Sequence, residues 1–187
     1  MSPLLGIWAS GQQAGQIIGT SFEPIATSGV SGGGVTFSSI PQTYTHLQLR
    51  VLVKTTRAAE DNFLIQLNGD NTAGNYYDHY VQGNGTSATA GTLINSRTDM
   101  IIPGYTPSST ATSTFAASII DILDYTNTNK YKTVRALTGY DANGSGMVGL
   151  YSGLWKNTNA VTSVYFAGFN ASLDTATTVA LYGIKAA

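Results

Sequence analysis

From Pro24 onward, apolar and polar side chains alternate along the chain with a period of two. In HLQLRVLVK at 46–54, Leu47, Leu49, Val51 and Val53 fall on one face and His46, Gln48, Arg50 and Lys54 on the other; only Leu52 breaks the polar side. That period predicts a half-buried strand. The same signal marks strands at 22–27, 35–40, 62–68, 76–82, 98–103, 114–123, 131–140, 147–156, 161–168 and 177–185. Turn chemistry separates them, in GVSGGG at 29–34, NGDNTAGN at 68–75, GNG at 83–85, YTNTN at 125–129, DANGSG at 141–146 and NTNA at 157–160. No stretch of helical period is long enough for a βαβ crossover. The expected fold is all-β, an antiparallel β-sandwich, and about eight to ten strands in about 165 residues favour a jelly roll with Greek-key links. Residues 68–113, rich in Gly, Ser, Thr and Asn, are expected to form long loops at one end of it.

Residues 1–20 stand apart from this pattern. MSPLLGIWASGQQAGQIIGT mixes Leu4, Leu5, Ile7, Trp8, Ile17 and Ile18 with Gly and Gln and has no clean period. Two readings fit: an unstructured terminus or extra edge strand, or an arm whose Leu4, Leu5, Ile7 and Trp8 dock on another chain. Residues 21–187 read as one sandwich domain, with no internal repeat. The first 22 residues carry no charge, so the basic start of a secretory signal is missing, and Leu4–Ala9 is too short to span a bilayer. Neither a signal peptide nor a membrane helix is expected.

Composition changes the picture at the surface. Only 10% of the 187 residues are charged, against about 25% in an ordinary domain. Thr (25), Ser (17), Asn (12) and Gly (21) together make 75 residues, so the polar surface is mostly uncharged. The net charge of −1 and the scattered basic residues leave no footprint for nucleic acid or an anionic membrane. With no Cys, thiolate metal sites, disulfides and cysteine nucleophiles are excluded.

Motifs with chemical potential are weak. GVSGG at 29–33 matches the nucleophile-elbow string around Ser31, but no helix follows and only His46 and His79 could act as base. GSGMVG at 144–149 matches the dinucleotide fingerprint but opens a strand, so it reads as a hairpin turn. Asp70, Asn71, Asn75 and Asp78 offer hard oxygen ligands, yet an Asx-rich turn bonding its own backbone is the better reading and no metal is expected. DANGSG reads the same way, because Ser152 stands where a closing Glu would sit. The acids Asp121, Asp124, Glu60 and Asp61 read as solvated turn acids and not as a glycosidase pair. No cofactor and no enzymatic activity are expected. Tyr76, Tyr77 and Tyr80, beside Asp78 and His79, form the densest aromatic group. They could stack on a sugar, or pack into the core or a subunit contact.

Five segments, SSIPQTYTHLQLRV at 38–51, NGD at 68–70 leading to NYYDHYVQGNG at 75–85, DILDYTNTNKYKTVRALTGYD at 121–141, SGLWKNTNAVTSVYF at 152–166 and VALYGIKAA at 179–187, resemble virion structural proteins of tailed bacteriophages. The resemblance runs over most of residues 21–187, and SPLLGIWAS resembles the attachment leader of such proteins. It implies a non-enzymatic, often homotrimeric β-sandwich that is made in the host cytoplasm and assembled into the virion. Members are labelled head decoration, cement or tail-fibre proteins. A short arm without a shaft favours decoration, with the major capsid protein or another virion protein as partner. The alternative is a tail adhesin binding host glycan through Tyr76, Tyr77 and Tyr80.

Overall fold

The computed structural model describes residues 21–31, 33–93, 97–111 and 113–185. Among them are twelve strands and no helix: β1 (Phe22–Gly29), β2 (Gly34–Phe37), β3 (His46–Val53), β4 (Asp61–Leu67), β5 (Tyr76–Gly83), β6 (Ala88–Gly91), β7 (Met100–Thr106), β8 (Ala116–Leu123), β9 (Lys132–Asp141), β10 (Gly146–Trp155), β11 (Val164–Gly168) and β12 (Thr178–Ile184). They form two sheets, one ordered β1-β12-β3-β8-β9-β10-β5-β6 and the other β2-β11-β4-β7, with every paired neighbour antiparallel. The expected all-β sandwich is therefore present.

The strand order also defines the jelly roll. Without β5, β6, β9 and β10, the remaining eight strands make two four-stranded sheets, β1-β12-β3-β8 and β2-β11-β4-β7. The chain crosses between them from β1 to β2, β2 to β3, β3 to β4, β7 to β8, from the β8 side to β11 after the β9–β10 insertion, and β11 to β12, which is the jelly-roll path. Two insertions, β5–β6 after β4 and β9–β10 after β8, add to the free side of β8 and double the width of that sheet. Twelve strands replace the eight to ten expected. Within residues 68–113 the loops are interrupted by β5, β6 and β7; β6, Ala88–Gly91, has no large side chain and gives no periodic signal.

The core lies between the sheets. Leu47, Leu49, Val51 and Val53 all point inward from β3 and are buried, as the alternation predicts. Phe63 and Phe166 meet across the small sheet with ring centroids 5.0 Å apart. On β10 the inward positions are Gly149, Tyr151, Gly153 and Trp155. A Cβ on Gly153 would stand 2.2 Å from Met100 Sδ, and one on Gly149 2.6 Å from the Tyr151 hydroxyl, so both glycines make room for larger neighbours. The β9–β10 hairpin closes on Asn143 and Gly144, both at positive φ, as an Asn-Gly pair does in a tight hairpin turn.

Candidate interaction surface

The strand registers place outward side chains of the large sheet in rows. One row runs Thr178, Leu52, Ala117, Gly139, Val148; the next runs Ala180, Arg50, Ile119, Leu137, Leu150, Val81. Six large aliphatic side chains in these two rows, from Leu52, Val81, Ile119, Leu137, Val148 and Leu150, are each 43–59% exposed. Across β12, β3, β8, β9 and β10 this face forms an open groove of about 710 Å³ whose only charged wall is Arg50. A patch of this kind is uncommon on a soluble monomer.

A polar row borders the apolar ones: Tyr182, Gln48, Asp121, Arg135, Ser152 and His79. Gln48 Nε2 donates to Asp121 Oδ1 at 2.9 Å, Arg135 donates to Asp121 Oδ2 at 2.9 Å, and Arg50 Nε donates to Gln48 Oε1 at 3.2 Å. These contacts pair Asp121 with Arg135 and engage Arg50 with the amide of Gln48. The adjacent groove is left to apolar contact.

The tyrosines do not form one platform. Tyr76 is fully buried on the inward side, where its hydroxyl accepts from the Leu67 N–H at 3.1 Å and donates to the Leu67 carbonyl at 3.3 Å. Burial pushes its hydroxyl well above the ordinary tyrosine range. Tyr80 also packs toward the core, with its ring 5.9 Å from that of Tyr151. Tyr77 alone turns outward. The period of two splits the group, so the three-tyrosine sugar platform is corrected: Tyr76 is a core residue. Leu4, Leu5, Ile7 and Trp8 lie outside the described residues.

The acidic loop is a turn that anchors the core. Asn68 and Gly69, both at positive φ, close a turn in which the Asp70 N–H bonds the Leu67 carbonyl at 2.9 Å. Asp70 then accepts from Trp155 Nε1 at 2.8 Å, Asn75 Nδ2 at 2.8 Å and the Thr72 N–H at 2.9 Å. Burial pushes the Asp70 carboxyl up, but these donors outweigh it and hold it well below the usual carboxylate range. Asp78 sits apart, buried, accepting from the Leu93 N–H at 2.8 Å, and burial pushes its carboxyl up. Among the described residues no three His, Cys, Asp or Glu side chains gather as metal ligands would.

The other candidates are likewise committed. Asp61 is not a solvated turn acid: it is buried and accepts from Asn170 Nδ2 at 2.7 Å. Asp121 sits within β8, and Asp124 accepts from Lys130 Nζ at 2.8 Å. Glu60 accepts from the Tyr140 hydroxyl. His46 Nδ1 accepts from the Asp124 N–H at 2.9 Å. His79 lies on β5, four strands away or roughly 19 Å at the usual spacing. Ser31 follows the end of β1 opposite that which His46 adjoins through Ile184, so it has no imidazole beside it. Lys132, which sequence reasoning passed over, is fully buried and donates to the carbonyls of Asn127, Lys130 and Thr158 at 2.6, 2.9 and 3.0 Å. Burial lowers its pKa, partly countered by Asp124. It fastens three loop carbonyls.

Fold and surface together define a jelly-roll β-sandwich whose larger sheet presents an apolar outer face. No known family matches the sequence, and no curated protein does. Among solved structures the chain is similar to galectin LEC-6 of Caenorhabditis elegans, at 9% identity and a TM-score of 0.34, over 86% of this chain and 96% of that one. That likeness is too slight to bear on ligand or partner.

Proposed function

We propose that the protein is a structural component of a phage particle, a capsid decoration or cement protein that works by contact and not by catalysis. The observation that carries this reading is the exposed aliphatic face of the large sheet, beside a rim whose charges are already paired. Such a face suits attachment to a lattice of protein subunits. A cement protein binds the assembled shell in preference to the free subunit, and so stabilises the shell by mass action. Many copies on one lattice add avidity without a tight single contact. Homotrimers fit local threefold positions, and the uncharged residues 1–20 supply the anchor to the major capsid protein.

Immunogold labelling of virions tests the location. Label over the head is expected; label confined to the tail, together with glycan-array binding by the purified protein, would replace this reading with that of an adhesin. Deleting residues 1–20 should abolish incorporation while far-ultraviolet circular dichroism remains that of a β-sandwich. Unchanged incorporation removes the arm from the anchoring role.

A further inference from the structure

The chain has three Asn-Gly pairs, at 68–69, 84–85 and 143–144. In such a pair the glycine nitrogen is open to the asparagine side chain, because no Cβ on the following residue crowds the approach. The pairs at 68 and 143 are matched. Each fills the centre of a tight turn, with φ of 55° and 63° at Asn68 and Gly69 and of 61° and 99° at Asn143 and Gly144. Leu67 and Asp70 are hydrogen-bonded across the first turn, Ala142 and Ser145 across the second. The backbone constrains the two pairs alike, so what separates them is the hold on the asparagine side chain.

Asn68 is clamped. Its Nδ2 donates to the Ala160 carbonyl at 2.8 Å, and its Oδ1 accepts from the Thr162 N–H at 2.7 Å and the Ser163 N–H at 3.1 Å. Asn84 is held within its own loop, where Oδ1 accepts from the N–H groups of Thr86 and Ser87 at 3.0 and 2.9 Å. Asn143 is exposed, and among the described residues its side chain makes no hydrogen bond; its backbone N–H donates to Asp141 Oδ1 at 2.8 Å. The Asn143 amide turns toward the Gly144 nitrogen without breaking a contact.

We propose that Asn143 is a site of self-modification, at which the chain converts its own amide to a carboxylate. The Gly144 nitrogen attacks Asn143 Cγ: the N–Cγ bond forms, Cγ–Nδ2 breaks, and ammonia leaves with the proton of the Gly144 N–H. Solvent water then opens the cyclic imide at either carbonyl. One opening gives aspartate; the other gives isoaspartate, whose main chain runs through the former side chain and is longer by a carbon. An intramolecular step of this kind is fast only near the attack geometry, and the contacts of Asn68 hold its amide away from it. Exchange of a neutral amide for a carboxylate takes the net charge from −1 to −2. The new charge stands beside Asp141, at a hollow of about 300 Å³ between the β5–β6 and β9–β10 turns. Isoaspartate also lengthens the turn that sets Leu137 opposite Leu150 on the apolar face.

The test holds the intact chain in warm, mildly alkaline buffer and digests samples over time. Mass spectrometry scores each Asn-Gly peptide for the amide-to-acid exchange, and electron-transfer fragmentation separates isoaspartate from aspartate. Conversion at Asn143 should be at least about ten-fold faster than at Asn68, a barrier difference of about 1.4 kcal/mol. Asn84 should fall between them. In guanidinium chloride, where the clamp on Asn68 is gone, the rates should converge. An acidic form should accumulate on ion exchange of the native protein and be depleted in Asn143→Gln, whose longer side chain closes a less favourable ring. Equal rates at Asn68 and Asn143 in the folded chain overturn the proposal, as does an Asn143 that stays unconverted. A gap that persists in guanidinium chloride overturns it too, because the fold then does not set the difference.

Discussion

The two faces of the large sheet are built from the same strands and are both apolar, but only one is covered by the small sheet. Inward, Leu47, Leu49, Ile120, Ile122, Val179 and Leu181 are fully buried. Outward, six aliphatic side chains keep about half their surface in water. Full burial of one such side chain stabilises by about 1.5–3 kcal/mol, so the outer six leave roughly 5–9 kcal/mol unrealised. The inner face is spent on folding, and the outer face remains available for association. This is why the outer positions, not the core, carry the functional reading.

The largest test of this contrast uses neighbours on β8. Ile120 is fully buried and Ile119 is 43% exposed. Ile120→Ala is expected to cost about 2–5 kcal/mol in urea unfolding, through lost transfer energy and a cavity. Ile119→Ala should change stability by no more than about 0.5 kcal/mol. Equal losses would mean that the outer face is already covered within the body itself.

Next in size is the polar exception on the inward side. Lys132 occupies an inward position of β9, and its ammonium satisfies three carbonyls. Lys132→Met keeps the apolar stem but strands those acceptors, and about 1–3 kcal/mol should be lost at neutral pH. No loss would show that water replaces the ammonium.

The inner face was legible because alternation is sharpest where one side is buried. HLQLRVLVK gave β3 and its inward residues directly, and the Asn-Gly pairs at 68–69 and 143–144 marked their turns. The outer face was not legible as a site. Leu52 looked like a lone break in the polar side of β3, and its neighbours Ile119, Leu137 and Val148 come from β8, β9 and β10, far from β3 in sequence. Only the pairing of β3 with β8, whose other side takes the β9–β10 insertion, brings them together. The tyrosine group failed for the opposite reason: residues adjacent in sequence point to opposite faces of a strand. Lys132 and Asp61 look like surface charges until the loops that bury them are placed.

A smaller effect concerns acid stability at the inner edge, where Asp70 holds Trp155. The Asp70 carboxyl is held below its ordinary value, so the unfolded chain takes up that proton first as pH falls. Its contribution is full above about pH 5, declines below about pH 4 and vanishes below the folded-state value. Asp70→Asn should lower stability by about 1–2 kcal/mol at pH 7, and the gap should close as pH drops through that window. Urea titrations followed by Trp155 emission in a Trp8→Phe background measure it. A gap constant from pH 7 to pH 2 would sever the link between this carboxylate and the anchoring of Trp155.

The smallest expected change in stability falls at Leu150, and it bears most directly on function. Leu150 is outward on β10, in the same row as Leu137 and Val81. Thr suits an exposed strand position, so Leu150→Thr should alter unfolding free energy by less than about 0.5 kcal/mol. An apolar fluorescent dye should bind the outward apolar rows, and Leu150→Thr should reduce that binding. Salt separates the two kinds of contact that this surface offers. Raising ionic strength from about 0.1 to 1 M shortens the screening length from about 10 to 3 Å, which weakens ion pairs but not aliphatic contact. If the apolar rows carry association, binding to a protein lattice survives that change and weakens with Leu150→Thr. If binding instead falls with salt and ignores Leu150, the polar row of Asp121 and Arg135 is the contact, and the apolar face loses its role.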